Sequence, residues 1–193
     1  MKNFAIHGRC LAAPPPPDWR EQLTRMLGAK PRRIGNWAEL GLYGALSCMA
    51  DAGEQALAPD ALLMLSSRCG PYTATIAVVE QMQHELPMPL TFLQTQPNQV
   101  LALLAAQINW QGHACFVAGG APEAMLRLAA AQSSEGGMLL GWVDETAGSL
   151  THWLRLRPDS TNEKGFVNVS GNDLFSPEIR YLSVTDTGQV QAL

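Results

Sequence analysis

The sequence is short of charge. Asp, Glu, Lys and Arg make up 16% of its 193 residues, against 47% hydrophobic residues, and the net charge is −4. The longest basic run is Lys30-Pro31-Arg32-Arg33. That is too little to grip a phosphate backbone or an anionic bilayer, so nucleic acid and membrane surfaces are poor partner candidates. No apolar run approaches the roughly 18 residues of a membrane span. Met1 to His7 holds no hydrophobic core of signal-peptide length, and a cytoplasmic location is the expectation. The four cysteines (Cys10, Cys48, Cys69, Cys115) form no Cys-x-x-Cys pair and have no histidine at ligand spacing. Zinc, a disulfide framework and other cofactors are not expected, and all four read as small buried apolar groups. A P-loop is absent. Gly35, Gly41 and Gly44 make no Gly-x-Gly-x-x-Gly turn after a strand, which argues against a dinucleotide site. Low charge fits a surface covered by a partner, and it fits a plain apolar-rich α/β domain equally well.

The patterning that is present alternates strands with helices. Phe4, Ile6, Gly8 and Cys10 alternate with polar or small residues, which predicts a strand over residues 3–12. Pro14 to Pro17 ends it as a stiff polyproline bend. A short helix is expected over Asp18 to Leu27. A second runs from Trp37 to about Ala52, with Asn36 as N-cap, Glu39 completing a capping box and Gly53 just past its end. Ala61 to Ser66 reads as a strand, and Gly70-Pro71 opens a helix from Thr73 to His84. Pro87 and Pro89 mark a loop. Pro97 starts a helix to Trp110 that is apolar on several sides, as in a helix held between layers. A strand at 114–118, a helix from Pro122 to Ser133 and an apolar strand over Met138 to Val143 follow. Leu150 to Arg157 alternates apolar and polar residues, which predicts a strand with one wet face. Residues 158–176 read as loop, Ile179 to Val184 as a last strand and the tail after Asp186 as frayed. This order indicates an α/β fold with helices on both faces of the sheet. No internal repeat or long linker divides the chain.

The stretch Gly112 to Gly120 is the most informative. It reads as turn, buried strand, Gly-Gly break and helix, the scaffold on which many enzymes mount a nucleophile. Here the turn is Gly119-Gly120-Ala121-Pro122, and none of these carries a nucleophilic atom. A nucleophilic enzyme needs an activated Ser, Cys or Thr with a base in reach. Cys115 is the nearest sulfur, but it sits inside the strand, and His113 two residues before it supplies no triad. His7, His84 and His152 are scattered. The Asp144-Glu145 pair at a strand end could do acid–base work, or serve as a cap or turn. The residues alone describe an α/β domain with an empty elbow.

Several segments, in order, resemble the N-terminal half of a β-ketoacyl synthase of the thiolase fold. They are Phe4-Ala-Ile-His-Gly8 through Leu11-Ala-Ala-Pro14, Arg33 to Leu42, and Leu63-Met-Leu-Ser-Ser-Arg-Cys-Gly70-Pro71. They continue with Pro89-Leu-Thr-Phe-Leu-Gln-Thr-Gln-Pro97-Asn98, Gln107 to Gly112, and Leu139 to Glu145. The resemblance covers residues 3–145. It implies a single thiolase-like half with a mixed sheet, spanning residues 1–193, with 158–193 as a C-terminal loop and strand extension. The family's cysteine turn is replaced by Gly119, Gly120 and Ala121, a degenerate nucleophile turn. The family's histidines and lysine belong to a second half, for which the length of this chain leaves no room. The implied expectation is a non-catalytic subunit resembling a shortened chain-length factor of the aryl-polyene type, in polyketide or fatty-acid biosynthesis.

That resemblance also implies partners and a site. The chain would pair with a full-length ketosynthase, as a heterodimer or higher assembly, and meet acyl carrier protein through the complex. Ala114, Cys115, Phe116, Val117 and Ala118 would form the interface strand. Thr91, Phe92, Leu93 and Gln94 would line or gate the partner's acyl tunnel, with Tyr72, Thr75, Ile76 and Val79 as its floor. A bulky gate such as Phe92 would end the gain of about 0.8 kcal/mol per buried methylene. Two other classes stay open. One is a stand-alone acyl hydrolase or transferase using Cys115 and His113. The other is an acyl-carrier docking scaffold using Arg32, Arg33 and Arg127.

Overall fold

The computed structural model describes all residues except 85–87, 120, 147 and 161–164. Its elements in chain order are β1 (Lys2–Ala12), α1 (Trp19–Leu27), α2 (Asn36–Asp51), β2 (Leu62–Ser67), α3 (Tyr72–Gln83), α4 (Pro89–Gln94) and α5 (Asn98–Gln107). There follow β3 (His113–Ala118), α6 (Pro122–Gln132), β4 (Met138–Asp144), β5 (Leu150–Asp159), β6 (Val167–Asn168), a 3-10 turn (Gly171–Phe175), β7 (Tyr181–Val184) and β8 (Val190–Ala192). The strands form one mixed sheet in the order β3-β2-β4-β5-β1-β7-β8-β6. β2 lies parallel to both β3 and β4, and the remaining pairs are antiparallel.

The sheet carries a core on each face. On one, α1, α2 and α5 cover Leu63, Leu65, Leu139, Val143 and Trp153. On the other, α6 and the 3-10 turn cover Met64, Leu140, Trp142, Leu154 and Leu182. β2 and β4 are buried along their whole length, which is why they read as unbroken apolar runs.

α2 is seated on the sheet by glycine. A Cβ on Gly44 would lie within 2.6 Å of the Trp153 Nε1, and one on Gly141 within about the same distance of that indole. The two glycines cut a slot, and Trp153 fills it with its Nε1 donating to Thr151 Oγ1 at 3.0 Å. Further along α2, the Ala52 backbone nitrogen lies 2.6 Å from where a Gly8 Cβ would stand, so β1 meets the helix end backbone to backbone. At the start of α2, Trp37 Nε1 donates to the Val143 carbonyl at 3.1 Å. The helix therefore crosses the sheet from β4 to β1. It ends as the sequence indicates: Gly53 adopts φ 68°, and the Glu54 N–H donates to the Met49 carbonyl.

Several expectations are corrected. β5 has no wet face towards α2: Thr151, Trp153 and Arg155 are all buried there. Arg155 is tolerated because its guanidinium is hydrogen-bonded on every nitrogen, to Glu54 (2.7 Å) and to the carbonyls of Met138, Leu156 and Gly136. The tail beyond Asp186 is not frayed, because β8 pairs with β7 and buries Val190 and Ala192. Within the expected 158–176 loop lie β6 and the 3-10 turn. The Arg9 guanidinium fastens the approach to β7 by donating to the carbonyls of Ser176, Pro177 and Ile179. Pro89 starts helix α4, where Pro is tolerated at the first position; Pro87 lies outside the described residues. Asn36 is the first helical residue of α2 and Gly35 is its N-cap.

If Trp153 is the plug of the α2 slot, Trp153→Ala should lower unfolding stability by about 3–5 kcal/mol in denaturant titration. A loss within about 0.5 kcal/mol, as for an exposed strand residue, would contradict that placement.

Candidate functional site

Two features meet at the carboxyl ends of β2, β3 and β4, where open α/β sheets place their ligand crevices. The first is the edge strand β3. Among the described residues it pairs only with β2, so its outer edge is open. None of its residues is charged or proline, the usual guards of an edge. Ala114 and Phe116 pack towards the α2 face, with Phe116 edge-on to Trp37 at 6.0 Å, while Cys115 and Val117 pack towards α6. The turn after it is pinned: the Gly119 N–H donates to the Ser67 carbonyl at 2.8 Å, and Ser66 Oγ donates to the Val117 carbonyl at 2.9 Å. Gly119 takes φ 70°, and Ala121 is extended before Pro122 opens α6. Gly120 lies outside the described residues.

The second feature is the α3–α4 pair. Neither helix buries a single side chain. Tyr72, Ile76, Val79, Met82, Met88, Leu90, Phe92 and Leu93 are eight of the thirteen exposed large apolar side chains among the described residues. A cluster of this kind marks a surface made for contact. Val78, Met82, Met88, Pro89 and Phe92 line an open groove of about 400 Å³. A smaller recess of about 150 Å³ lies between the start of α2, α3 and α4, lined by residues that include Trp37, Ala77, Thr91, Gln94 and Glu145.

The expected tunnel residues are thus divided. Thr91 and Gln94 line the small recess, whereas Phe92, 57% exposed, lines the outer groove. Leu93, Tyr72 and Ile76 face outwards. α4 buries none of its side chains, so its large apolar groups stay outside.

Below the α3–α4 pair, Asp144 and Glu145 are joined in a polar network with Ser67, Arg68, Asn36 and Thr73, which no pattern in the sequence signals. Asp144 is fully buried, accepting from Ser67 Oγ at 2.9 Å and from Arg68 Nε at 3.1 Å. Ser67 Oγ in turn accepts from the Gly70 N–H at 2.8 Å. Glu145 accepts from the Thr73 N–H at 2.7 Å and from Asn36 Nδ2 at 3.1 Å. The Asn36 amide oxygen accepts from Arg20, which also pairs with Glu39 at 3.1 Å and stacks over Trp19. Glu39 is therefore engaged by Arg20 and not by a capping box. Both carboxylates of the Asp144-Glu145 pair are occupied in holding backbone and neighbouring side chains.

The thiols differ from expectation. Cys10 and Cys48 are buried, but Cys69 is exposed and Cys115 half-buried. Burial pushes the Cys10 thiol up to about 11 and raises Cys48 well above the usual thiol range. Cys115 is likewise raised by burial, which disfavours the thiolate a nucleophile requires. No cluster of three or more potential metal ligands occurs among the described residues. None of their helices is long and apolar enough to cross a membrane.

Comparison with protein-family models and with curated proteins yields no match. Solved structures do match. One is a chain of the ishigamide ketosynthase/chain length factor, with TM-score 0.58 and 11% identity over 81% of this chain and 58% of that one. Another comes from a ketosynthase in complex with its chain length factor from Xenorhabdus doucetiae, with TM-score 0.53 and 13% identity over 88% of this chain and 80% of that one. A third comes from a type II polyketide acyl-carrier protein in complex with its ketosynthase, with TM-score 0.61 and 11% identity over 81% and 63%. The fold is therefore the thiolase-like fold of ketosynthase and chain-length-factor assemblies. The chain spans less than two thirds of the length of the first and third of these.

Thiol titration of the native protein checks the site. Cys69 should react first and Cys115 more slowly, with Cys10 and Cys48 silent until unfolding. Four silent thiols would contradict the structure.

Proposed function

We propose that the chain is a non-catalytic subunit of the chain-length-factor kind, acting as one β-ketoacyl-synthase-like domain. It pairs with a ketosynthase that carries the nucleophile, and it shapes that partner's acyl tunnel in polyketide or fatty-acid-type synthesis, aryl polyenes among them. The observation that carries this reading is β3. It is a terminal strand with an open, unguarded edge, and the turn that follows it offers Gly119, Ala121 and Pro122 where a nucleophile would stand. The fold likeness to ketosynthase and chain-length-factor chains supports the same reading.

In this assembly the edge of β3, Ala114 to Ala118, takes a partner strand, and the exposed apolar face of α3 and α4 extends the contact. Burying apolar surface there contributes about 25 cal/mol for each Å² removed from water. Thr91 and Gln94, beside the smaller recess, are the stronger candidates for bounding an acyl chain. Phe92, Leu93, Tyr72 and Ile76 belong to the contact face. Acyl carrier protein reaches the chain through the complex. The raised Cys115 thiol argues against a stand-alone hydrolase.

Co-expression with a ketosynthase that retains its cysteine tests the proposal. The two should co-elute as one species in size exclusion. Ile76→Asp with Val79→Asp, both at exposed positions, should leave the chain folded and weaken association at least tenfold. Two separate peaks for the unmodified pair would overturn the reading.

A further inference from the structure

The α3–α4 pair is held in place by polar contacts more than by packing. No side chain of either helix is buried, although Pro71 just before α3 is. What fixes its entry is the carboxylate pair at the end of β4. Asp144 holds Ser67 and Arg68, where the chain leaves β2, and Ser67 Oγ holds the Gly70 N–H. Glu145 then holds the Thr73 N–H in the first turn of α3, and Asn36 at the first turn of α2. α3 has no side-chain cap of its own, so Glu145 satisfies one of its orphan amides from another element. The carboxylate also lines the 150 Å³ recess that the arm borders.

We infer that Asp144 and Glu145 form a latch for the α3–α4 arm, with Glu145 as the positioning residue that holds the root of the arm beside the recess. The latch is a property of this chain by itself. It goes beyond the subunit role proposed above and does not require a partner. An arm with no buried side chain and a charge-assisted bond at its root opens locally when that bond is removed, while the core strands stay closed. Glutamine at 145 keeps an amide oxygen for Thr73 but loses the charge. Alanine loses both contacts.

Hydrogen exchange with mass spectrometry on the chain alone tests this, comparing the unmodified protein with Glu145→Gln and Glu145→Ala. Exchange in peptides covering 72–94 should speed up by roughly tenfold or more in Glu145→Ala and by less in Glu145→Gln. Peptides covering 62–67 and 138–143 should keep their protection. Unchanged exchange in 72–94 would overturn the latch. So would a uniform acceleration across arm and core that follows a fall in Tm, the sign of general destabilisation. Because no ketosynthase enters the measurement, a failure here is separable from a failure of partner binding.

Discussion

The seating of α2 on the sheet is the constraint on which the rest depends. Trp153 can lie flat beneath the helix only because Gly44 and Gly141 leave no Cβ in its way. That slot fixes the height and direction of α2. From it follow the Trp37 bond to Val143, the edge-on contact of Trp37 with Phe116 and the position of Asn36 opposite Glu145. One packing decision in the core therefore reaches both the inner face of the edge strand and the root of the α3–α4 arm.

The two halves of the candidate site are built on different physics. β3 is rigidly backed, through Phe116 on one face and Cys115 and Val117 on the other, and offers backbone groups outwards. The arm offers apolar side chains outwards and is tied down by carboxylates. An open strand edge and a cluster of exposed Ile, Val, Leu, Met and Phe both cost solubility when bare. A partner that supplies both a strand and an apolar face would remove that cost. This complementarity, with the nucleophile-free turn, is what the proposed subunit role rests on.

The sequence carries much of the element order, because β2, β4 and the apolar helices have clear periodicity and Gly53 and Pro122 mark boundaries, whereas α4 lies where Pro89 reads as loop. β5 was misread for a physical reason: Thr151, Trp153 and Arg155 look like a solvent face, but the slot and the Glu54 pairing bury them. β6 and β8 were invisible because two- and three-residue strands owe their existence to partners far along the chain. At the site, the empty elbow was readable residue by residue, whereas the edge position of β3 depends on strand order, which periodicity does not encode. Phe92 suggests a gate by its size, yet it stands exposed on the outer groove. The cap role open to the Asp144-Glu145 pair in the sequence is the one Glu145 takes, but that it serves α3 and α2 appears only when β4, α2 and α3 are brought together.

In the proposed assembly, the open edge of β3 is where the ketosynthase docks. Amide exchange across residues 113–118, measured with and without a cysteine-bearing ketosynthase partner, tests it most directly. The β3 amides exposed in the free chain should become protected in the complex, together with the α3–α4 surface. Binding that leaves 113–118 unprotected, with new protection confined to other surfaces, would contradict it.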